Sequence, residues 1–265
     1  MSKRVACLCP TFARPICTAN VAALFQQQTY DNRFLYILDD GGTFLEESDD
    51  DRIKIKTYDK RFNSLPEKYN FLLEWAIEDC SPDIIFVWEN DDIYLPDHIW
   101  RCANALYKAD VLRPNLVFVY DPLAKKVRIE PVYGNFHGSL VFRASLAKSG
   151  VHWPDTKAAA FDLQFLRELT SQYRVENLEG FPTYVFRFPC TETINGECFM
   201  SGPDDTSWYD RYGINYGHAC CPKEKIKLEP KVDKETRHFF DVFYKPGLIH
   251  QIAAYYKRYN KQLMP

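Results

Sequence analysis

Residues 83–97 constrain this chain more than any other stretch. They read Asp-Ile-Ile-Phe-Val-Trp-Glu-Asn-Asp-Asp-Ile-Tyr-Leu-Pro-Asp, an apolar run that ends abruptly in acids before a proline opens the next segment. Ile84, Ile85, Phe86, Val87 and Trp88 have the pattern of a strand buried on both faces, with Pro82 as its breaker. Open α/β sheets bind ligands at the carboxyl ends of such strands, which is where Glu89, Asp91 and Asp92 fall. Carboxylates crowded there repel one another unless a cation joins them. Hard oxygen ligands of this kind suit Mg2+ or Mn2+ carrying a substrate's phosphates. Taken alone, the motif also fits a solvated acidic loop after a core strand.

The neighbouring segments supply the rest of such a sheet. Residues 4–9 read as a first strand, stopped by Pro10. Pro15 sits where a helix starts, and Ile16, Ala19, Ala23 and Phe25 carry an apolar stripe as far as Gln28. A second strand at 34–38 ends in Asp39-Asp40-Gly41-Gly42, and 53–57 is a short third strand. Ser64 has the character of an N-cap, with Pro66 and Glu67 in the first turn of a helix that carries Tyr69, Leu72, Leu73, Trp75 and Ala76. The acidic strand follows, and then a helix over 96–109. This alternation predicts a mostly parallel, doubly wound sheet across the first 110 residues. Beyond it, 116–120, 127–132 and 139–142 read as strands of antiparallel character, and 158–171 as a helix. The Gly-, Asp-, Asn- and Tyr-rich stretch 189–222 is long enough to act as a lid. No internal repeat is visible.

Composition narrows the class. The chain has 265 residues, 46% of them hydrophobic and 15% aromatic, enough for one large domain or two small ones with a substantial core. No apolar run approaches the roughly 18–20 residues that cross a bilayer. Met1-Ser2-Lys3-Arg4 leads directly into strand-like sequence, so the expected location is the cytoplasm. The nine cysteines are scattered and make no disulfide framework. Cys7 and Cys9 alternate within a strand as small apolar groups, and His218, Cys220 and Cys221 lack the paired spacing of a structural zinc site. The net charge of −3 hides an asymmetry: residues 223–265 hold ten Lys/Arg and five Asp/Glu, a local +5, so residues 1–222 carry −8. Phe239, Phe240, Phe243, Tyr244, Tyr255, Tyr256 and Tyr259 lie in the same basic tail. Its expected form is a helix packing aromatics on the domain with its lysines in water, the alternatives being a membrane surface, a nucleic acid or a partner subunit.

Further residues gather at the same edge. The first strand ends in Cys9-Pro10-Thr11-Phe12-Ala13-Arg14-Pro15, and the second in the Asp39-Asp40-Gly41-Gly42 turn. An Asp there can accept hydrogen bonds from a nucleobase edge or ribose hydroxyl. Arg14 and Lys68 can meet phosphate oxygens, the arginine as a fork and the lysine as a point charge. Neither a Gly-x-Gly-x-x-Gly after the first strand nor a Gly-x-x-x-x-Gly-Lys-Ser/Thr is present, which disfavours dinucleotide and P-loop sites. Asp162, in the first turn of a helix-forming run, is either a dipole partner or a general base aimed into the crevice. His137, after Asn135-Phe136, is a candidate acceptor contact or rival base. His218 is a candidate to complete a metal shell.

Together these segments resemble the nucleotide-sugar-dependent glycosyltransferases of the GT-A fold, particularly family 2. Pro10-Thr11-Phe12-Ala13-Arg14-Pro15 is similar to that family's Pro-Thr-Tyr-Asn-Arg-Pro opening, and 25–30, Phe-Gln-Gln-Gln-Thr-Tyr, to its Ile-Leu-x-Gln-Thr-Tyr segment. The run 35–42 resembles its apolar strand followed by Asp-Asp-Gly-Ser, and 89–97 its Asp-x-Asp region, with Glu89 in place of the first acid. The resemblance covers the first hundred residues and fades after about 170. It implies a Rossmann-like, mostly parallel sheet flanked by helices, a smaller mixed or antiparallel sheet on the acceptor side and a C-terminal helical tail. The expected division is 1–110 for the donor half, 111–222 for the acceptor half and 223–265 for the extension.

Carried over position by position, the resemblance implies that Pro10, Thr11, Arg14, Asp39 and Asp40 hold the nucleoside part of the donor, with Lys68 near the diphosphate and Asn90 and Asp91 beside it. Asp91 would be the chief metal ligand, with Glu89, Asp92 and His218 around it and Mn2+ or Mg2+ as the ion. Asp162 stands where inverting members keep the base, Phe161 replacing their usual Glu. Asn135 and His137 fall on the acceptor side. The implied reaction is hexosyl transfer from a nucleoside diphosphate sugar, first a UDP-sugar, to an acceptor hydroxyl. Nucleotidyl transfer or an inactive nucleotide-sugar-binding protein of the same fold are the alternatives. The acceptor stays open among polysaccharide, lipid-linked sugar, protein and modified DNA base, the acidic body disfavouring extensive nucleic-acid contact.

Overall fold

The computed structural model describes residues 2–121, 124–132, 136–157, 160–187 and 224–244. Strand β1 (Val5–Thr11) lies between β2 (Arg33–Asp39) and β4 (Ile84–Val87), and β3 (Ile53–Thr57) extends the sheet beyond β2, every pair parallel. Past β4 the same sheet continues through β9 (Val141–Arg143), β6 (Val111–Pro114) and β10 (Val175–Leu178), giving seven strands in the order β10-β6-β9-β4-β1-β2-β3. Strand β9 runs antiparallel to both β4 and β6, while β6 and β10 are parallel.

Alternation along β1 builds the two layers. Val5, Cys7 and Cys9 face a cluster with Val21, Ala22 and Phe25 of α1 (Pro15–Gln26) and with Ile99 and Cys102 of α3 (His98–Ala105). Ala6 and Leu8 face the opposite cluster, with Leu72, Leu73 and Ala76 of α2 (Leu65–Cys80) and with Phe165 and Leu169 of α5 (Phe161–Gln172). A strand covered by helices on both faces has no polar side, which is why β1 is apolar from Val5 to Cys9. Helix α2 starts as its sequence dictates: Ser64 Oγ accepts from Glu67 N at 3.2 Å, and Glu67 Oε2 accepts from Asn63 N at 2.8 Å.

A four-stranded sheet in the order β5-β11-β7-β8 stands beside the first, built from β5 (Ile93–Tyr94), β11 (Tyr184–Arg187), β7 (Leu116–Asp121) and β8 (Lys126–Pro131). It is mixed: β11 is antiparallel to β5 and parallel to β7, and β7–β8 is an antiparallel pair. The short α4 (Ser145–Lys148) follows β9. Helix α6 (Lys234–Val242) packs Phe239 on Phe118 and Tyr120, with ring centroids 6.1 and 5.6 Å apart. Thus residues 234–242 of the basic tail form a helix that buries Phe239 and leaves Phe240 half-buried. The free cysteines Cys7, Cys9, Cys17, Cys80 and Cys102 are all buried. Among the described residues no helix is long and apolar enough to cross a membrane.

Several expectations need correction. Pro10 does not stop β1, because Leu8 O bonds toward β4 and alternation sends Pro10's missing donor to the same side, where β4 no longer pairs. The third segment of the second half joins the main sheet as β9 rather than the smaller one, and its 139–140 portion belongs to a 3-10 turn, His137–Ser139, and its exit. The helix expected over 96–109 is only His98–Ala105, since the chain must turn at Leu106 to enter β6. Helix α5 begins at Phe161, with residues 158–159 outside the described set. Both sheets draw strands from either side of residue 110.

Candidate active site

The chain reverses its direction of travel across the sheet between β1 and β4, so the ends of β1, β2 and β4 open onto one crevice. Thr11 ends β1, Asp39 ends β2, and Trp88 N bonds back to Leu8 O before Glu89 leaves β4. A hydrogen-bond chain joins these ends. Thr11 and Thr18 hydroxyls lie 2.8 Å apart, Asn90 Nδ2 donates to Thr11 Oγ1 at 2.7 Å, and Arg14 Nη1 donates to Asn90 Oδ1 at 3.2 Å and Asp91 Oδ2 at 3.0 Å. Arg14 is 4% exposed and Asp91 22%, so the acid stands at the mouth and the arginine behind it. Arg14 Nε is buried and has no partner among the described residues.

On the β2 side the acids are already balanced. Asp39 Oδ1 accepts from Gly41 N at 2.9 Å, while Oδ2 accepts from Thr43 N at 2.5 Å and Phe44 N at 3.1 Å. Burial pushes its carboxyl above the ordinary range, against the pull of those three amides. Asp40 Oδ1 pairs with Lys68 Nζ at 2.5 Å and its Oδ2 accepts from Phe62 N at 3.0 Å. Lys68 also donates to Thr11 O at 2.6 Å, and burial draws its ammonium below the usual lysine range against the pull of Asp40. The loops after β1 and β2 are pressed together: a Cβ at Gly41 would lie 2.7 Å from Ala13 N, and Ala13 itself holds a left-handed φ of 51°. Pro10 lies buried within β1, opposite Leu38.

The acids after β4 are different. Ligand oxygens of Glu89, Asp91 and Asp92 all lie within 4.8 Å of one another. Burial, then the charges of Asp91 and Asp162, push Glu89 up to about 8. Burial, then Asp91 and Glu89, push Asp92 well above the carboxylate range, although Tyr184 Oη donates to Asp92 Oδ2 and Arg187 N donates to Oδ1 at 3.0 Å. Gly138 makes room for the cluster. A Cβ there would lie 2.8 Å from Tyr184 Oη, 2.9 Å from Asp92 Oδ2 and 3.0 Å from Glu89 Oε2. Three hard oxygen donors, crowded and short of positive charge, fit a divalent cation.

His137 completes this wall. Trp153 Nε1 donates to His137 Nε2 at 2.9 Å, so the imidazole keeps its proton on Nδ1 and donates it to Glu89 Oε1 at 2.9 Å. The contact is a hydrogen bond from a neutral ring rather than an ion pair, since burial lowers His137 to about 4 despite the opposing charge of Asp162. With both nitrogens engaged, His137 holds Glu89 instead of serving as a free base. Trp153 is clamped to Asn70 by two hydrogen bonds of 3.0 and 2.8 Å and stacks on Tyr69 with centroids 4.8 Å apart. Asp162 lies in the first turn of α5, its Oδ1 accepting from Leu163 N at 2.8 Å. Phe161 packs its ring 5.7 Å from His137.

The structure thus joins Thr11, Asn90, Arg14 and Asp91 in one hydrogen-bonded chain, sets Glu89 and Asp92 with ligand oxygens within 4.8 Å of those of Asp91, bonds His137 to Glu89, and leaves Asp162 near enough for its charge to bear on Glu89 and His137. Asn135 and His218 lie outside the described residues, as does the 189–222 stretch. Sequence reasoning missed Trp153, Tyr184, Arg187 and Asp233. Only Arg187, closing an apolar strand with a charge, carried any local signal.

No protein-family model matches the chain, and no curated protein sequence does. Solved structures do resemble it. S. aureus TarS 1-349 superposes with a TM-score of 0.52 at 12% identity, over 69% of this chain and 60% of that one. The same fragment in complex with UDP-GlcNAc gives 0.54 at 13% identity, over 71% and 60%. In complex with UDP it gives 0.54 at 12%, over 71% and 61%. The chain therefore spans about three fifths of the TarS fragment. At such low identity the likeness speaks for the fold, which is the GT-A glycosyltransferase fold.

Proposed function

We propose that this chain transfers a sugar from a nucleoside diphosphate sugar to an acceptor hydroxyl, with inversion at the anomeric carbon. The observation that carries the reading is the cluster of three acids at the sheet's switch point, with Arg14 as its one paired cation among the described residues and bonded through Arg14 and Asn90 to the end of β1. UDP-GlcNAc, the ligand of one TarS complex, is the first donor to test.

Asp91, with Glu89 and Asp92, would hold the Mn2+ or Mg2+, which when bound offsets the charge that builds on a departing diphosphate. Arg14, with Nε unpartnered among the described residues, adds a cation on the same side. Thr11, Asn90 and the Gly41 turn shape the nucleoside end, where backbone rather than side-chain carboxylate faces a ligand, because Asp39 and Asp40 are consumed within the fold. Asp162 takes the proton of the acceptor hydroxyl as that oxygen attacks C1 and the C1–O bond to the diphosphate breaks. The helix N-terminus behind it favours the negative charge a base needs. Residues 1–222 would form the transferring unit, with 223–265 as an extension.

The test couples binding to turnover. Thermal shift with UDP-, GDP- and ADP-sugars, with and without Mn2+, identifies the donor through ligand-linked stabilisation. Asp91→Ala should abolish Mn2+-dependent donor binding and transfer together. Asp162→Asn should keep donor binding and lose about 10²–10⁴-fold in turnover. Near-normal turnover in Asp162→Asn sinks the base assignment. Diphosphate release from a nucleoside triphosphate would instead indicate nucleotidyl transfer.

A further inference from the structure

The acid cluster is also anchored from behind, by residues none of the motifs contain. Arg187 closes β11 with its side chain fully enclosed, and its Nη1 pairs with the equally enclosed Asp233 Oδ2 at 2.8 Å. Arg187 Nε donates to the main-chain carbonyl of Asp91, and Arg187 N donates to Asp92 Oδ1 at 3.0 Å. Asp233 caps α6, accepting from Thr236 N at 2.7 Å, and its own N–H donates to Asn20 Oδ1 on α1 at 3.0 Å. A guanidinium therefore sits directly behind the carboxylates, and one acid from the C-terminal segment balances it.

We propose that Asp233 and Arg187 form a positioning pair for cation binding: Asp233 keeps the guanidinium on the Asp91 carbonyl, so the Asp91 carboxylate faces the crevice. The inference rests on the metal-dependent reading above. A buried guanidinium stripped of its partner seeks the next carboxylate, and Asp91 is the other aspartate whose charge bears on it. Without Asp233, then, Arg187 competes with the cation for Asp91. Without either residue, the Asp91 main chain loses its support.

Mn2+ binding by the full chain, read from the electron paramagnetic resonance signal of free Mn2+, tests this without any turnover. Asp233→Asn removes the charge but keeps a good helix cap. Because breaking a buried pair costs stability while replacing both partners with apolar residues is often neutral, Arg187→Met/Asp233→Leu is the second variant. The Mn2+ Kd should rise at least about tenfold in both, the range for lost outer-shell partners, and recover in part with Asp233→Glu. Near-ultraviolet circular dichroism verifies that each variant is folded. A Kd within about twofold of wild type in the folded double variant overturns the positioning role and leaves the transferase reading standing. A wild-type chain that binds no Mn2+ overturns both.

Discussion

Two pairs of adjacent aspartates lie at the same sheet edge and have opposite fates. Asp39 and Asp40 are satisfied within the chain, by four backbone amides and by Lys68. Asp91 and Asp92, with Glu89, share Arg14, the backbone amide of Arg187, two tyrosine hydroxyls and a histidine that carries no charge. A carboxylate balanced internally is part of the scaffold. One left short of positive charge is a candidate site, because an external cation would complete it. Adjacent Asp-Asp in sequence does not distinguish these cases; the lysine and the turn amides do.

The largest effect expected from breaking this contrast is on the balanced side. Lys68→Met leaves Asp40 buried and unpaired, and should cost about 3–5 kcal/mol in urea unfolding. Glu89→Gln should do the opposite to the metal-free protein. It should gain about 1–2 kcal/mol at pH 8.5, short of the full shift because 26% of the Glu89 side chain meets solvent. If both substitutions destabilise equally, the distinction between scaffold acids and site acids fails.

The glycines sharpen the same comparison with a smaller effect on stability. A Cβ at Gly41 meets the backbone of Ala13, which cannot yield without moving β1's exit. A Cβ at Gly138 meets three side-chain oxygens, which can. Gly41→Ala should therefore lower the free energy of unfolding by about 1–3 kcal/mol, as overpacking does. Gly138→Ala should fold near normally but bind Mn2+ more weakly, a difference that calorimetry alongside denaturation resolves.

The balanced half was also the legible half. Strand β3 and the Ser64 cap stand where their patterns place them, because both depend on residues close in sequence. The crevice was legible because three strand ends carry polar residues of their own: Thr11 and Arg14 after β1, Asp39-Asp40-Gly41-Gly42 after β2, and Glu89, Asp91 and Asp92 after β4. What escaped was long-range. Arg187 meets Asp91 across 96 residues and Asp233 across 46, and no period in either segment announces that meeting. Strand β5 has two residues, too few for any alternation, and β6 ends on Pro114, which argues against a strand until its parallel partner β10 is seen. His137 read as an acceptor contact or a rival base, and the indole of Trp153 is what fixes its Nδ1 as the donor toward Glu89.

The smallest expected effect is a pH dependence that sets the two kinds of group against each other. Glu89, raised from the ordinary carboxyl range to about 8, binds a proton in the folded metal-free protein that the unfolded chain has already released. Its contribution is complete below about pH 4.3 and is lost as pH rises toward 8. His137, lowered to about 4, runs the other way: the unfolded chain takes up a proton first, so stability is complete above about pH 6.5 and is lost as pH falls toward 4. Buried His98, lowered to about 3, adds to the acid limb. Urea midpoints of the metal-free chain should therefore decline on both sides of a mildly acidic optimum. Glu89→Gln should flatten the alkaline limb alone, leaving the acid limb to the histidines. An unchanged alkaline limb in that variant would show that Glu89 is ionised in the folded chain, and the acid cluster would then need no external cation to explain it.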